Sequence, residues 1–121
     1  MKTKRPRLIV TGASGLLGNK IVKFARNDYT VIPLHYRMPL HSNSLTLNIA
    51  ASHDVLKLLN RLKPNMVIHT ASETNVDRCE TEKENAWKTN VEGTRNVSLA
   101  CSEVGAKLLY ISTDYVFDGE K

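Results

Sequence analysis

Three glycines near the start of the chain, Gly12, Gly15 and Gly18, stand at the spacing G-x-x-G-x-x-G. They separate a short apolar run containing β-branched residues from a segment with helical periodicity. The first glycine lets the chain turn sharply off a strand, the second lets the backbone approach a pyrophosphate, and the third lets the helix pack closely on a sheet. Backbone N–H groups at the start of that helix would then face the anion. The spacing therefore predicts a turn that binds a dinucleotide.

The end of the second predicted strand bears on the choice between dinucleotides. An Asp or Glu at that point typically accepts hydrogen bonds from the ribose hydroxyls of NAD. This chain has His35, Tyr36 and Arg37 there and no acid. Because a guanidinium can pair with a 2′-phosphate, the sequence favours NADP(H) over NAD(H). A solvated loop arginine is the alternative for Arg37, and His35 either stacks on the adenine or is simply exposed.

The elements that must position these residues alternate between strand and helix. Apolar runs predict strands, and helical spacing of apolar residues predicts helices. Pro33 weakens the second strand because proline lacks a ladder donor. Ser52 is a plausible cap for the second helix, and Gly105 should end the third. The predicted strands cover 7–11, 30–34, 45–48, 66–70 and 107–112, and the predicted helices cover about 15–26, 52–62 and 84–104.

This alternation predicts an α/β fold with a Rossmann-type doubly wound parallel sheet. Right-handed crossovers give the expected strand order 3-2-1-4-5. The length of 121 residues is enough for one domain, over residues 1–121.

The first helix is predicted from apolar residues at helical spacing, and the third from an inward face of small and apolar residues. The residues that predict the first helix are Leu17, Ile21, Phe24 and Ala25; those of the third are Ala86, Asn90, Gly93, Val97, Ala100 and Val104.

Composition and charge limit the remaining classes of function. The net charge is +5, but four of the 17 basic residues lie in the first seven positions, a pattern more typical of a solvated end than of a nucleic-acid surface. No apolar run approaches the roughly 20 residues of a membrane span, so the chain is expected to be soluble and cytoplasmic, with no membrane partner. Cys79 and Cys101 have no further Cys or His at ligand spacing, which predicts reduced, packed thiols and no metal site.

Two further segments and one short motif carry a resemblance to a known family. Residues 69–80 are similar to a family stretch that follows the fourth strand, approximately N-A-A-x-T-x-V-D-x-x-E. Residues 112–119 read S-T-D-Y-V-F-D-G, and residues 90–94 match N-x-x-G-T. Together with the glycine turn they resemble the dTDP-4-dehydrorhamnose reductases of the extended short-chain dehydrogenase/reductase superfamily, over nearly the whole chain.

The resemblance implies hydride transfer from a nicotinamide to the C4 ketone of a nucleotide-linked deoxysugar, with dTDP-4-dehydro-L-rhamnose as the substrate. It implies that the hydroxyl of Thr113 hydrogen-bonds the ketone oxygen and that Asp114 and Tyr115 lie beside the sugar. Thr70, Ala71 and Ser72 would line the nicotinamide side, Asn48 and Ile49 would lie near the adenine, and Asn90 would support the site. Many relatives carry Asp at the position of Asn48. The full predicted cofactor-binding set is Gly12, Gly15, Leu16, Leu17, Gly18, His35, Arg37, Asn48, Ile49, Thr70, Ala71, Ser72 and Asn90.

The family also places a Tyr and a Lys four residues apart after the segment at 112–119. No Tyr-x-x-x-Lys occurs in these 121 residues. The chain is therefore expected to be either the N-terminal part of a longer reductase, with a homodimer as a candidate assembly of the full-length protein, or the product of a truncated gene. By itself it is expected to bind cofactor weakly and reduce nothing. Two alternatives stay open: a non-catalytic regulatory subunit resembling methionine adenosyltransferase subunit beta, and a sugar-nucleotide epimerase or dehydratase of the same superfamily.

Overall fold

The computed structural model describes residues 4–70 and 91–111, and over these ranges strands and helices alternate as the sequence predicts. All strand pairs are parallel, and the strand order is β3-β2-β1-β4-β5, which confirms the predicted order. Residues 84–90, the predicted first part of the third helix, lie outside the described ranges. The strands are β1 (Arg7–Val10), β2 (Thr30–His35), β3 (Leu45–Thr46), β4 (Met66–His69) and β5 (Lys107–Tyr110), and the helices are α1 (Leu16–Ala25), α2 (Ser52–Leu62) and α3 (Gly93–Val104).

The sheet is covered on both faces in the part of the chain that the structure describes. Leu8 and Val10 of β1 pack with Val22 of α1, whereas Ile9 between them packs with Val55 of α2 and, on the same face, with α3. Successive residues of β1 thus point to opposite faces, and Leu8, Ile9 and Val10 are all buried, as expected of a central parallel strand. The chain crosses from β3 to β4 over β2 and β1, so the carboxyl ends of β1 and β4 form the switch point of the sheet.

Pro33 lies inside β2 although proline cannot donate to a ladder. Its carbonyl points toward the β3 side of the strand, where it accepts a hydrogen bond from Ser44 Oγ at 3.2 Å. β3 pairs with β2 through Leu34 and His35 only. The missing N–H of Pro33 therefore falls where β3 has not yet begun, and the sheet loses no ladder hydrogen bond.

Helix α1 leaves some of its apolar residues in solvent. Gly18 and Val22 are buried, whereas Phe24, one of the residues whose spacing predicts the helix, is 82% exposed. Phe24 lies two residues after Val22, which is about 200° around the helix axis. Leu16 and Leu17 at the start of the helix are exposed as well. The helix therefore touches the sheet along a single stripe, which includes Gly18, Ile21, Val22 and Ala25.

The ends of α2 and α3 differ in how well the sequence predicts them. Gly105 ends α3 in the left-handed conformation, with φ 77° and its N–H bonded to Cys101 O, which confirms the prediction. The predicted cap at Ser52 is wrong, because the N-cap is Ala51 and no side chain caps it. The Asn48 side chain instead accepts the N–H of Ala50 at 3.0 Å, just before the helix. This hydrogen bond closes a local turn before the helix and does not cap its first turn.

Cys101 lies on the buried face of α3, and burial raises the pKa of its thiol to about 11. A protonated, buried thiol behaves as a small apolar side chain, in agreement with the prediction for Cys101; Cys79 lies outside the described residues. The described helices include none that is long and apolar enough to cross a membrane.

Candidate functional site

The glycine turn joins the end of β1 to the start of α1. Gly12 has a φ of 64°, a left-handed conformation that glycine adopts without strain. Its carbonyl accepts the N–H of Gly15 at 3.0 Å, and the N–H of Ala13 donates to Leu34 O of β2 at 2.9 Å. These bonds close the turn and tether it to the neighbouring strand, so that α1 begins directly above the carboxyl end of β1.

Gly18 brings α1 against this turn. A Cβ atom at Gly18 would lie 2.1 Å from the carbonyl oxygen of Gly12 and 3.0 Å from the hydroxyl of Thr70. A Cβ at Gly15 would approach the Gly12 oxygen only to 3.3 Å. The close packing predicted for the third glycine is therefore present, and no other residue type fits at Gly18 without movement of the backbone.

The start of α1 can receive an anion. The N-cap, Gly15, has no side chain to accept the N–H groups of the first turn, and that turn contains no acidic residue. Gly15, Leu16 and Leu17 are exposed, so a ligand can reach their backbone. Unpaired N–H groups and the positive end of the helix dipole favour a phosphate at this place. The residues present thus fit the pyrophosphate of a dinucleotide.

Thr70, predicted to line the nicotinamide side, contributes its polar atoms to the turn. Its N–H donates to Thr11 Oγ1 at 2.8 Å, and its hydroxyl donates to Thr11 O at 2.5 Å. The same hydroxyl lies 3.4 Å from Gly12 O. The end of β4 therefore holds the end of β1 and the first glycine in place, a role that the sequence does not reveal.

His69, to which the sequence assigns no role, lies fully buried at the end of β4. Its ring stacks on that of Tyr110 with the centroids 5.5 Å apart, and its nitrogens lie near the hydroxyls of Thr11 and Thr94. Burial lowers the pKa of the imidazole to about 4, because the charged form loses its hydration. The side chain is therefore neutral at physiological pH. Its place at the end of a strand beside the switch point is the only signal by which the sequence could indicate it.

His35, predicted to bind the cofactor, has both ring nitrogens in hydrogen-bonding contact within the fold. Nδ1 lies 2.6 Å from Ser44 Oγ, and Nε2 lies 3.2 Å from Thr46 Oγ1. Because Ser44 donates its own proton to Pro33 O, its oxygen accepts from Nδ1–H, and Nε2 accepts from Thr46. His35 is half-buried, so its ring ties β2 to β3 and the following loop rather than standing free in solvent.

Arg37 projects from the loop that follows β2. It is exposed, and its guanidinium carbon lies 5.8 Å from the centroid of the Tyr36 ring, within cation–π distance. The next residue, Met38, accepts a hydrogen bond on its carbonyl from Ser14 Oγ of the glycine turn. The loop that carries the candidate phosphate ligand is therefore anchored to the turn that would hold the pyrophosphate.

Asn48 and Ile49 lie between β3 and α2 and are fixed from α3. The side chain of Asn96 donates to Ile49 O at 2.8 Å. A Cβ atom at Gly93 would lie 2.6 Å from Ile49 Cδ1, so the absence of a side chain there lets Ile49 pack against the helix. Beside Asn48 an open groove of about 410 Å³ runs between β3 and α2, next to Tyr36. A larger cavity of about 700 Å³ lies at the opposite end of the strands, away from the glycine turn.

The structure thus brings several of the predicted residues together around the carboxyl ends of β1, β2 and β4. Within the ranges 4–70 and 91–111 no group of His, Cys, Asp and Glu side chains can hold a metal ion. The predicted site residues that lie outside the described ranges, and stay predictions, are Ala71, Ser72, Asn90, Thr113, Asp114 and Tyr115.

The sequence of this chain is similar to those of several known proteins. The family model of the RmlD substrate binding domain matches residues 6–121. A dTDP-4-dehydrorhamnose reductase of Aggregatibacter actinomycetemcomitans is 34% identical over 117 residues, which cover 95% of this chain and 37% of that protein. Methionine adenosyltransferase 2 subunit beta of Xenopus laevis is 37% identical over 114 residues, which cover 93% of this chain and 34% of that protein.

A solved structure is similar over the full length of this chain. It is a Bacillus anthracis dTDP-4-dehydrorhamnose reductase in complex with NADP, with a TM-score of 0.82 and 34% identity over 100% of this chain and 41% of that one. The chain therefore spans between about one third and two fifths of the length of these relatives.

Proposed function

The chain belongs to the RmlD substrate binding domain family, and on that premise we propose that it is the cofactor-binding part of an NADP(H)-dependent sugar-nucleotide reductase. The proposed reaction reduces the 4-keto group of dTDP-4-dehydro-L-rhamnose to give dTDP-L-rhamnose. The observation that carries the proposal is the glycine turn at the switch point, where Gly12 is left-handed, Gly18 touches it and α1 starts uncapped. Substrate and turnover are proposed for the whole protein, since the chain spans 37% of the Aggregatibacter reductase.

We propose the following roles for the residues of this chain. When bound, the nicotinamide would supply the hydride, and the Tyr of the Tyr-x-x-x-Lys pair that the family places after the segment at 112–119 would supply the proton. The backbone N–H groups of the first turn of α1 bind the pyrophosphate, and Arg37 binds the 2′-phosphate. Thr113 donates a hydrogen bond to the ketone oxygen, on which negative charge develops during the reduction. Asp114 and Tyr115 contact the sugar.

A chimera tests the reductase function directly. In the Bacillus anthracis reductase, the segment that this chain matches is replaced with the chain itself. We expect the chimera to oxidise NADPH when dTDP-4-dehydro-L-rhamnose is added, measured by the fall in absorbance of NADPH. Replacing Thr113 with valine in the chimera should lower kcat about 100-fold, because one donor to the oxyanion is lost.

The chimera needs two controls. NADPH binding is measured without sugar, and oxidation is measured without enzyme. A folded chimera that binds NADPH but oxidises none with the sugar would contradict the reductase function. That result would favour the regulatory alternative, which the similarity to methionine adenosyltransferase 2 subunit beta supports.

Arg37 is expected to set the preference for NADP(H). Replacing Arg37 with methionine keeps the length of the side chain but removes its charge. We expect the dissociation constant of NADPH to rise about 10-fold and that of NADH to stay unchanged, since one charge-assisted contact with the 2′-phosphate is lost. Titration of the 121-residue chain followed by nucleotide fluorescence measures both constants.

The matched control is Arg5→Met. Arg5 precedes β1 at the opposite end of the sheet and donates to Arg26 O at 3.1 Å, so its loss should leave both dissociation constants as they are. Equal affinities of the unmodified chain for NADPH and NADH would show that Arg37 does not select the cofactor.

A further inference from the structure

His69 joins two parts of the candidate site that are distant in the sequence. Its Nδ1 lies 2.8 Å from Thr11 Oγ1, and its Nε2 lies 3.2 Å from Thr94 Oγ1. A neutral imidazole donates from one nitrogen and accepts at the other, and a hydroxyl can do either. The ring therefore links the end of β1 with the first turn of α3.

Thr11 is the residue through which this link reaches the glycine turn. β4 and the residue that follows it form three hydrogen bonds with Thr11. The N–H of Thr11 donates to Ile68 O, its hydroxyl oxygen accepts the N–H of Thr70, and its carbonyl oxygen accepts the hydroxyl of Thr70. Gly12 follows at once and turns the chain. The orientation of Thr11 therefore determines the direction in which the glycine turn leaves the sheet.

The first turns of α3 extend the link to the segment at Asn48 and Ile49. On either side of Thr94, the backbone of Gly93 packs against the Ile49 side chain and the amide of Asn96 donates to Ile49 O at 2.8 Å. One short stretch of helix thus contacts Ile49 directly and the glycine turn through His69. These are the two described segments predicted to contact opposite ends of the adenosine diphosphate moiety.

We propose that His69 is a positioning residue of the cofactor site, which keeps the glycine turn and the Ile49 segment in one fixed relation through α3. The proposal rests on the function proposed above, because it concerns the cofactor of that same site. The ring is fully buried and acts through Thr11 and Thr94. Buried hydrogen bonds behind a binding site hold its contacting groups in place, so their loss weakens affinity even where the fold survives.

The variant Thr94→Val tests this with little change in volume. It removes the hydroxyl that faces His69 Nε2 and leaves His69 itself in place. We expect about 5-fold weaker NADPH binding, since a buried imidazole nitrogen loses its partner. The amide 1H–15N resonances of Gly12 and Gly15 should also move, although these glycines belong to another element. His69→Phe should weaken binding more strongly, and His69→Gln, whose amide offers a donor and an acceptor, should recover part of the loss.

The matched control is Ser98→Ala, which removes an exposed hydroxyl one turn further along α3 and should change neither readout. Affinities are compared under conditions where circular dichroism shows each variant folded. Wild-type affinity in Thr94→Val together with unmoved glycine resonances would overturn the proposal. If the unmodified chain binds no NADPH, the proposed function fails, and the Gly12 and Gly15 resonances of Thr94→Val alone test the positioning role of His69. Movement of these resonances supports that role, and unmoved resonances overturn it.

Discussion

Replacing Gly18 with alanine is expected to abolish NADPH binding and to destabilise the chain by about 3 kcal/mol or more. The added Cβ would lie 2.1 Å from Gly12 O and 2.8 Å from its carbonyl carbon. Both are backbone atoms of a turn that is hydrogen-bonded to β2 and β4, so they cannot move aside as a flexible side chain would. Urea denaturation followed by circular dichroism measures the free energy of unfolding, and nucleotide fluorescence measures binding.

Two alanine variants at other glycines separate the clash from a general effect of the substitution. At Gly105 an added Cβ has open space but a φ of 77°, so Gly105→Ala should cost about 1 kcal/mol and leave NADPH binding unchanged. At Gly15 the Cβ would lie 3.3 Å from Gly12 O, and the loss of stability should be smaller than at Gly18. Equal stability of Gly18→Ala and Gly105→Ala would refute the close approach.

Acid is expected to destabilise the fold through His69. Burial holds the pKa of this imidazole at about 4 in the folded chain, below its ordinary value of 6.5. Below pH 6.5 the unfolded chain therefore binds a proton that the folded chain excludes. Above pH 6.5 this effect is absent, and as the pH falls from 6.5 to 4 the free energy of unfolding declines by roughly 3 kcal/mol through His69. In the described ranges the ring nitrogens contact the hydroxyls of Thr11 and Thr94, the ring stacks on Tyr110, and burial is the cause of the lowered pKa.

Urea unfolding at a series of pH values from 7 to 4 measures this decline. The variant His69→Gln should be less stable at pH 7 and should lose less stability on acidification than the unmodified chain. His53→Gln serves as the control, because His53 is exposed on α2, and it should follow the unmodified chain. Parallel curves for His69→Gln and the unmodified chain would assign the acid sensitivity to other groups.

Local patterns in the sequence predict the order of the strands and helices well. Apolar runs and helical spacing are properties of neighbouring residues, and the right-handed crossover rule converts their alternation into the order 3-2-1-4-5. The end of α3 at Gly105 follows from the conformational freedom of glycine in the same way. The glycine turn is predicted with its geometry because its spacing and its place between strand and helix are both local.

Predictions that depend on the direction of a side chain or on distant partners are less successful. Phe24 fits the helical spacing of α1 but faces solvent, since a helix contacts a sheet over only part of its circumference. Ser52 has the residue type of a cap, yet it is the first residue of α2, and the N-cap is Ala51 with no side-chain hydrogen bond. The sequence leaves open whether His35 stacks on the adenine or is simply exposed. The structure shows both ring nitrogens in contact with Ser44 and Thr46, so the side chain is not simply exposed.

The sequence by itself determined the α/β alternation, the glycine turn at Gly12, Gly15 and Gly18 between strand and helix, and the basic residue after the second strand. Only the tertiary structure decided what holds that turn. Thr11 and His69 are 58 residues apart, and His69 and Thr94 are 25 residues apart. They meet because β1 and β4 are neighbours in the sheet and α3 packs over one face of it. Contacts of this kind leave no periodicity in the sequence, so the buried histidine behind the glycine turn is visible only in the folded chain.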